Sequence, residues 1–313
     1  MTDVPERVAY FNGEIVPESG VLIPLRDAGF LYGYAAFDTE RTFAHHLYRL
    51  DEHLERFYRS LRYLDLDPGM EPAEMERLTH EVVERNVPLL GPDDDYWVTQ
   101  RVTLGQSGPE GWKSTVIIEC KPLPLAERAA CFRDGIDLIV SSLRRTPPEA
   151  QSPRAKTHNY INLILADREV KAQNPDAWSI LLDMDGHLCE GVGSNLFLVR
   201  DRLLLTPRER LVLPGVSRSA VFQLAAACGL EAVEADLDVY DAQTADEAFL
   251  SSTSLCMCPV RSLNGRPIGD GSIPGPISRM LMDAWIEELG GFDFVGQYLK
   301  RLVPSQLSAS ARD

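Results

Sequence analysis

The 313-residue chain has no apolar run long enough to span a bilayer and no CxxC pair, and its six histidines are scattered. With no such run, and with an amino terminus Met1-Thr-Asp-Val-Pro-Glu-Arg that lacks a signal-peptide pattern, a soluble cytoplasmic protein without a membrane partner is expected. Basic residues are in deficit, 31 Lys and Arg against 47 Asp and Glu. The resulting charge of −16 leaves no basic surface for nucleic acid or anionic lipid, so small molecules are the expected partners. Only His45 and His46 are adjacent, and no second set of ligands stands at metal spacing, so no metal is expected. Cys120, Cys131, Cys189, Cys228, Cys256 and Cys258 lie mostly in apolar surroundings and read as reduced core residues. No internal repeat marks a solenoid.

What is present suits two ordinary domains, each with its own core. Asn12-Gly13 sits between two β-prone runs from Val8 to Val16 and predicts a hairpin. A glycine-punctuated loop, Arg26 to Gly33, leads to a strand from Ala35 to Phe43 that puts Phe37, Thr39, Arg41 and Phe43 on one face. That face is either a solvated sheet edge or the wall of a site. Leu50, Leu54, Phe57, Leu61 and Leu64 trace the stripe of an amphipathic helix. His53 and Arg56 flank it, as snorkelling charges or as phosphate ligands. A second helix follows over Pro72 to Asn86, then strands over Tyr96 to Leu104 and Thr115 to Cys120.

Lys121-Pro-Leu-Pro124 breaks the last of these strands. The expected division is a small domain over 1–121, a linker over 122–136, a larger domain over 137–303, and a disordered Ser/Ala-rich tail over 304–313. In the larger domain, Leu138–Ser142, Trp178–Leu182, His187–Glu190, Asn195–Val199, Leu203–Leu205 and Ala248–Leu250 read as strands. A Pro-Gly loop after Leu213 opens a helix to about Cys228, whose first amides with the Ser217 hydroxyl make an anion site, phosphate being the obvious guest. The final helix is expected over Ile277 to Leu289.

Lys156 stands just before a segment in which Ile161, Ile164, Leu165, Ala166 and Val170 recur at helical spacing, with Asn159 as the expected N-cap. A lysine held there can lose solvation, which disfavours the ammonium and frees an amine to attack an aldehyde such as pyridoxal phosphate. The same context also suits a solvated surface lysine.

Seven stretches settle between these readings by resemblance: Tyr10-Phe-Asn-Gly13, Gly29-Phe-Leu-Tyr-Gly33, Arg49-Leu-Asp-Glu-His-Leu-Glu-Arg56, Lys156 with Asn159-Tyr160, Glu190-Gly-Val-Gly-Ser-Asn-Leu-Phe197, Leu213-Pro-Gly-Val-Ser217 and Ser251-Ser-Thr253. In this order they resemble the class IV aminotransferases, fold-type-IV pyridoxal-phosphate enzymes, over Tyr10 to Ile268. The resemblance implies a two-domain α/β chain: a small amino-terminal α/β domain and a larger one with a strand-rich core flanked by helices. It implies that Lys156 forms the Schiff base and then shuttles a proton, and that Arg56 pairs with the cofactor phosphate. The amides of Val216 and Ser217, with the hydroxyls of Ser217 and Thr253 and neighbouring Ser252, would complete the phosphate cup. Glu190 would keep the ring nitrogen protonated. Tyr160 would meet the phenolic oxygen, although it follows the lysine by four residues where branched-chain enzymes usually have five.

The substrate side departs from the branched-chain pattern. Phe37-Asp38 stands where Phe-Glu is usual, and Trp97-Val98-Thr99 where Tyr-x-Arg is usual. Arg101 or Arg41 would then receive the substrate carboxylate, unless both are structural. Phe37, Trp97, Tyr32 and Leu255 would supply an apolar pocket, with Thr99 and Ser254 beside it. The expected function is a homodimeric, cytoplasmic transaminase moving an amino group from a branched-chain or similar apolar amino acid to a 2-oxo acid by a ping-pong cycle. The alternatives are a D-amino-acid or (R)-amine transaminase, an aminodeoxychorismate-type lyase, and a non-catalytic cofactor-binding protein.

Overall fold

Residues 6–302 are described by a computed structural model, so the expected tail over 304–313 lies outside the described residues. The chain divides into two compact units. One runs up to Leu123 and takes back Ala155–Tyr160; the other comprises Pro124–Arg154 and the residues from Ile161 onward.

The first unit contains β1 (Val8–Phe11), β2 (Glu14–Pro17), α1 (Ala28–Tyr32), β3 (Ala35–Phe43), β4 (His46–Leu47), α2 (Leu50–Tyr63), α3 (Pro72–Asn86), β5 (Tyr96–Gly108) and β6 (Gly111–Pro122). Its strands form one antiparallel sheet in the order β2-β1-β6-β5-β3-β4. Asn12 and Gly13, at φ 50° and 109°, make the tight turn between β1 and β2, a conformation these residue types tolerate. Leu50, Leu54, Phe57 and Leu61 of α2 are buried against Ala36, Val98, Val102 and Ile118 of the sheet, together with Met75, Leu78 and Val82 of α3. Each such side chain contributes about 1.5–3 kcal/mol. Because side chains alternate along β3, Asp38 and Glu40 share the helix-covered face with Ala36, while Phe37 and Thr39 point the other way.

Ala155–Tyr160 lies along β3. The Phe37 amide donates to the Lys156 carbonyl at 3.0 Å and the His158 amide to the Ala35 carbonyl at 2.9 Å. The Lys156 amide donates to Ser60 Oγ of α2 at 3.0 Å. Assigning Lys156 to a 137–303 domain therefore misses where its backbone is anchored: sheet-type bonds to a strand more than a hundred residues earlier hold it in the first unit.

The second unit contains α4 (Leu125–Asp134), β7 (Ile136–Arg144), α5 (Ile161–Gln173), β8 (Trp178–Leu182), β9 (Leu188–Gly191), β10 (Ser194–Arg200), β11 (Leu203–Pro207), α6 (Val216–Ala227), β12 (Ala232–Ala235), α7 (Val239–Gln243), β13 (Glu247–Ser252), β14 (Cys256–Leu263), β15 (Arg266–Pro267), α8 (Pro276–Glu288) and α9 (Phe294–Leu299). Strands pair in the path β10-β13-β14-β7-β8-β9, and β9 pairs with β10 again, which closes the sheet on itself. Closure removes the edges of these six strands. β11 and β12 extend outward from β10. β10 is buried through Val199, as expected for a strand covered on both faces.

Residues 122–136, expected to link two domains, carry α4, whose Leu125, Ala129 and Phe132 are buried. Phe132 stacks on Tyr298 of α9, a helix that the sequence reading passed over. In α5 the buried stripe is Leu163, Ala166 and Val170, whereas Ile161, Ile164 and Leu165 are exposed. Helical spacing was legible there, but several apolar stripes fit it. Among the described residues no helix is long and apolar enough to cross a membrane.

Candidate active site

In the first unit Lys156 Nζ lies 3.3 Å from the Tyr160 hydroxyl and 4.6 Å from the centroid of the Phe37 ring. Phe37 also meets the rings of Tyr160 and His158, each with centroids 5.4 Å away. Lysine and tyrosine four residues apart meet because the chain turns before α5, with the Tyr160 amide donating to the His158 carbonyl at 2.8 Å. Asn159, expected to cap α5, donates through Nδ2 to the Gly33 carbonyl instead.

Arg56 is buried rather than snorkelling. Its Nε and Nη2 donate to the two Asp38 oxygens at 2.8 and 2.6 Å, and His53 Nδ1 lies 2.8 Å from Asp38 Oδ1. Burial would raise the Asp38 carboxyl, but the Arg56 charge and the bonds from His53 and Arg56 hold it well below the usual carboxylate range. Burial pushes His53 down despite Asp38, so it is a neutral imidazole that donates through Nδ1 to the Asp38 carboxylate. The departure of Asp38 from the usual Glu thus still supplies a carboxylate to Arg56.

Arg101 sits on the open face of the sheet, its guanidinium carbon 5.4 Å from the Phe37 centroid. Nε and Nη2 both donate to Glu119 Oε1, at 2.9 and 2.8 Å, and Nη1 lies 3.3 Å from His158 Nε2. Burial, together with the Arg101 charge, pushes His158 down to about 4, so it accepts that bond as a neutral imidazole. Thr99 bonds Thr39 across the strands at 3.1 Å. Trp97 pairs in register with Arg41.

Arg41 does not serve as a carboxylate receptor: it is 1% exposed, donates to the Thr42 carbonyl, lies 3.7 Å from Asp95 and stacks over Phe43. Its burial and its engagement inside the unit make it structural. Tyr32 ends α1 with 73% of its surface exposed.

In the second unit Glu190 is buried on β9. Its Oε1 accepts from Arg145 Nε at 2.8 Å and its Oε2 from the Leu213 amide at 2.9 Å. Asn195, opposite Glu190 in the β9–β10 pair, donates to the Leu213 carbonyl, so the loop before α6 is tied to both strands. Val216 and Ser217 form the first turn of α6, which no side chain caps. A Cβ at Gly215 would collide with Asn195 Oδ1, so only glycine allows the helix start to sit this close. In the turn after β13, Ser252 Oγ accepts from the Leu255 amide and lies 3.5 Å from Ser254 Oγ. Thr253 belongs to this turn. Arg128 of α4 donates to Ser254 and faces the Trp178 ring. Leu255 is fully buried and offers no surface to a ligand, which removes it from the expected pocket.

A model of the family described as amino-transferase class IV matches residues 35–263. The chain belongs to the class IV aminotransferases. A putative branched-chain-amino-acid aminotransferase of Methanocaldococcus jannaschii is 33% identical over 276 residues, covering 88% of this chain and 93% of that one. The crystal structure of Escherichia coli branched-chain amino acid aminotransferase superposes with a TM-score of 0.83 at 28% identity, covering 92% and 95% of the two chains. That of a T.th. branched-chain amino acid aminotransferase with pyridoxamine 5'-phosphate gives 0.81 at 26% identity, covering 91% and 95%.

As a fold-type-IV aminotransferase, this protein uses pyridoxal phosphate. Its donor set fits that group. The first unit offers an amine beside a phenol, and a buried guanidinium. The second offers a buried carboxylate and an uncapped helix start approached through glycine. Arg145, Ser60, Glu119 and His158 were missed by sequence reasoning. His158 stands two residues from Lys156 and could have been suspected; Arg145 is one of two consecutive arginines, and nothing local tells which of them reaches Glu190.

Proposed function

We propose that this aminotransferase moves an amino group from a branched-chain or similar apolar amino acid to a 2-oxo acid, in the cytoplasm and as a homodimer. The contact of Lys156 with Tyr160 and the Phe37 ring carries the reading. An amine over an aromatic face, within reach of a phenol, is in the setting of a nucleophile and proton carrier. Bound pyridoxal phosphate would supply an electron sink for the charge that develops at the substrate α-carbon. Lys156 would hold the cofactor and then carry the proton from that carbon. Tyr160 would fix the position of Nζ. Arg56, oriented by Asp38, would meet the phosphate, as would the Val216 and Ser217 amides, the Ser217 hydroxyl, and Ser252 and Thr253. Glu190, held by Arg145 and the Leu213 amide, would face the ring nitrogen as a carboxylate. Phe37 gives the substrate side an apolar wall, with Trp97, Thr99 and Ser254 beside it, and Arg101 stands there for a carboxylate on the substrate's side chain.

Leu22, Leu25, Phe30, Leu31 and Tyr32 are all exposed within one short segment, and large apolar side chains left exposed so close together in the chain support the dimer. The named relatives favour the branched-chain donor over the D-amino-acid or (R)-amine alternative.

The test is Lys156→Ala. Turnover of leucine with 2-oxoglutarate should fall by at least about a thousandfold, and the visible cofactor band should no longer be fixed to the protein by borohydride. Borohydride fixation surviving in that variant would remove Lys156 from the role. Bleaching of the wild-type band by D-amino acids or (R)-amines, but not by L-leucine, would remove the branched-chain donor.

A further inference from the structure

Arg101 is held on the open sheet face by Glu119 and His158, beside the ring that also meets Lys156. The details of that hold matter. Both Nε and Nη2 donate to the same oxygen, Glu119 Oε1, so the pair is not the two-oxygen fork in which guanidinium and carboxylate bind most tightly. Each side chain is 33% exposed. A pair exposed to this degree is weak, and among the described residues three of the five guanidinium N–H groups are engaged. His158, which accepts from the third, is neutral and adds no charge to the cluster.

We propose that Glu119 is a specificity-determining residue: it closes Arg101 into a neutral pair that a second substrate carboxylate can displace. A monocarboxylic substrate with an apolar side chain leaves the pair closed and meets an uncharged wall of Phe37 and the Arg101–Glu119 pair. A dicarboxylic substrate competes with Glu119 for the guanidinium and takes up its idle N–H groups. One face can therefore take both an apolar side chain and an acidic one without moving the backbone. His158 is a positioning residue, since it fixes Nη1 and so the plane in which the guanidinium is offered. The inference rests on the assignment of Lys156 proposed above, which makes this the substrate side of the sheet.

The experiment is calorimetric titration of the holoenzyme with two unreactive acids, glutarate and 4-methylvalerate, in wild type, Glu119→Gln, Glu119→Asp and Glu119→Gln combined with Arg101→Gln. Glu119→Gln releases Arg101 from a competitor and should tighten glutarate about three- to fivefold, with 4-methylvalerate changed by less than about twofold. Glu119→Asp, which keeps the charge, should restore the wild-type ratio, and adding Arg101→Gln to Glu119→Gln should abolish the preference gained. The KM ratio of 2-oxoglutarate to 4-methyl-2-oxovalerate should move with the glutarate affinity, while kcat moves less. Equal changes for both acids, or an unchanged glutarate affinity in Glu119→Gln, would overturn the proposal. Failure of the Lys156 assignment would appear separately, as borohydride fixation surviving in Lys156→Ala.

Discussion

Replacing Asp38 by Asn tests the buried cluster on which Arg56 depends. Asp38 is fully buried and accepts from Arg56 twice, from His53 and from the Thr39 amide. The variant keeps the shape and removes the charge, leaving a buried guanidinium without that counter-charge, which costs about 3–5 kcal/mol. At about 2–4 °C per kcal/mol, Tm should fall by on the order of 10 °C at pH 7. The pH dependence has a definite sign. The native Asp38 carboxyl titrates well below its unfolded value of about 3.9, so its contribution is full above about pH 5 and is lost as pH falls through the unfolded value toward the native one. The Tm gap between wild type and Asp38→Asn should therefore be constant from pH 6 to 8 and narrow on acidification below about pH 4. Differential scanning calorimetry across that range, with circular dichroism to confirm the fold, reads both. A loss under about 3 °C at pH 7, or a gap that stays constant into acid, would refute the reasoning.

Two further outcomes are expected. Arg145→Met leaves Glu190 held by the Leu213 amide alone, so the side chain loses the guanidinium that fixes its position and transamination should slow about tenfold with cofactor retained; Glu190→Ala should lose most turnover, also with cofactor retained. Stopped-flow half-reactions with L-leucine measure this, and an unchanged rate in Arg145→Met would mean that the pair does not tune Glu190. Gly105→Ala should destabilise by about 3 kcal/mol in denaturant, because φ is +71° and a Cβ would collide with the Lys113 carbonyl oxygen, whereas Gly108→Ala on the same strand, meeting the Gly111 oxygen at 3.8 Å, should change stability little. Equal stabilities would show that β5 relaxes around Gly105, where its register against β6 shifts.

The elements with a clear period are legible in the sequence alone. Leu50, Leu54, Phe57 and Leu61 marked α2 and its buried face, and Asn12-Gly13 marked the first hairpin. Pro-Gly before Val216 marked a helix start. Short or evenly apolar segments were not readable in this way. α1, α4 and α9 lack a single dominant stripe, and in α5 both the buried Leu163 and the exposed Ile161 fit a helical period.

The sequence by itself determined that Lys156, Arg56 and Glu190 stand in the order and spacing of a class IV aminotransferase, with Tyr160 one residue nearer the lysine than is usual in branched-chain enzymes, since motif spacing is a property of the chain. Only the tertiary structure decided which groups hold them. Asp38 turns inward because it follows Phe37 on an alternating strand, and there it meets Arg56 from α2. Lys156 joins the first unit because its carbonyl bonds the Phe37 amide across more than a hundred residues of chain. Arg41 and Arg101, equivalent as charges on strands, part company through burial: one is sealed against Phe43 near Asp95, the other partly exposed with Glu119. Partners of this kind come from long-range packing, and a charged side chain's role follows from what surrounds it, which local sequence does not encode.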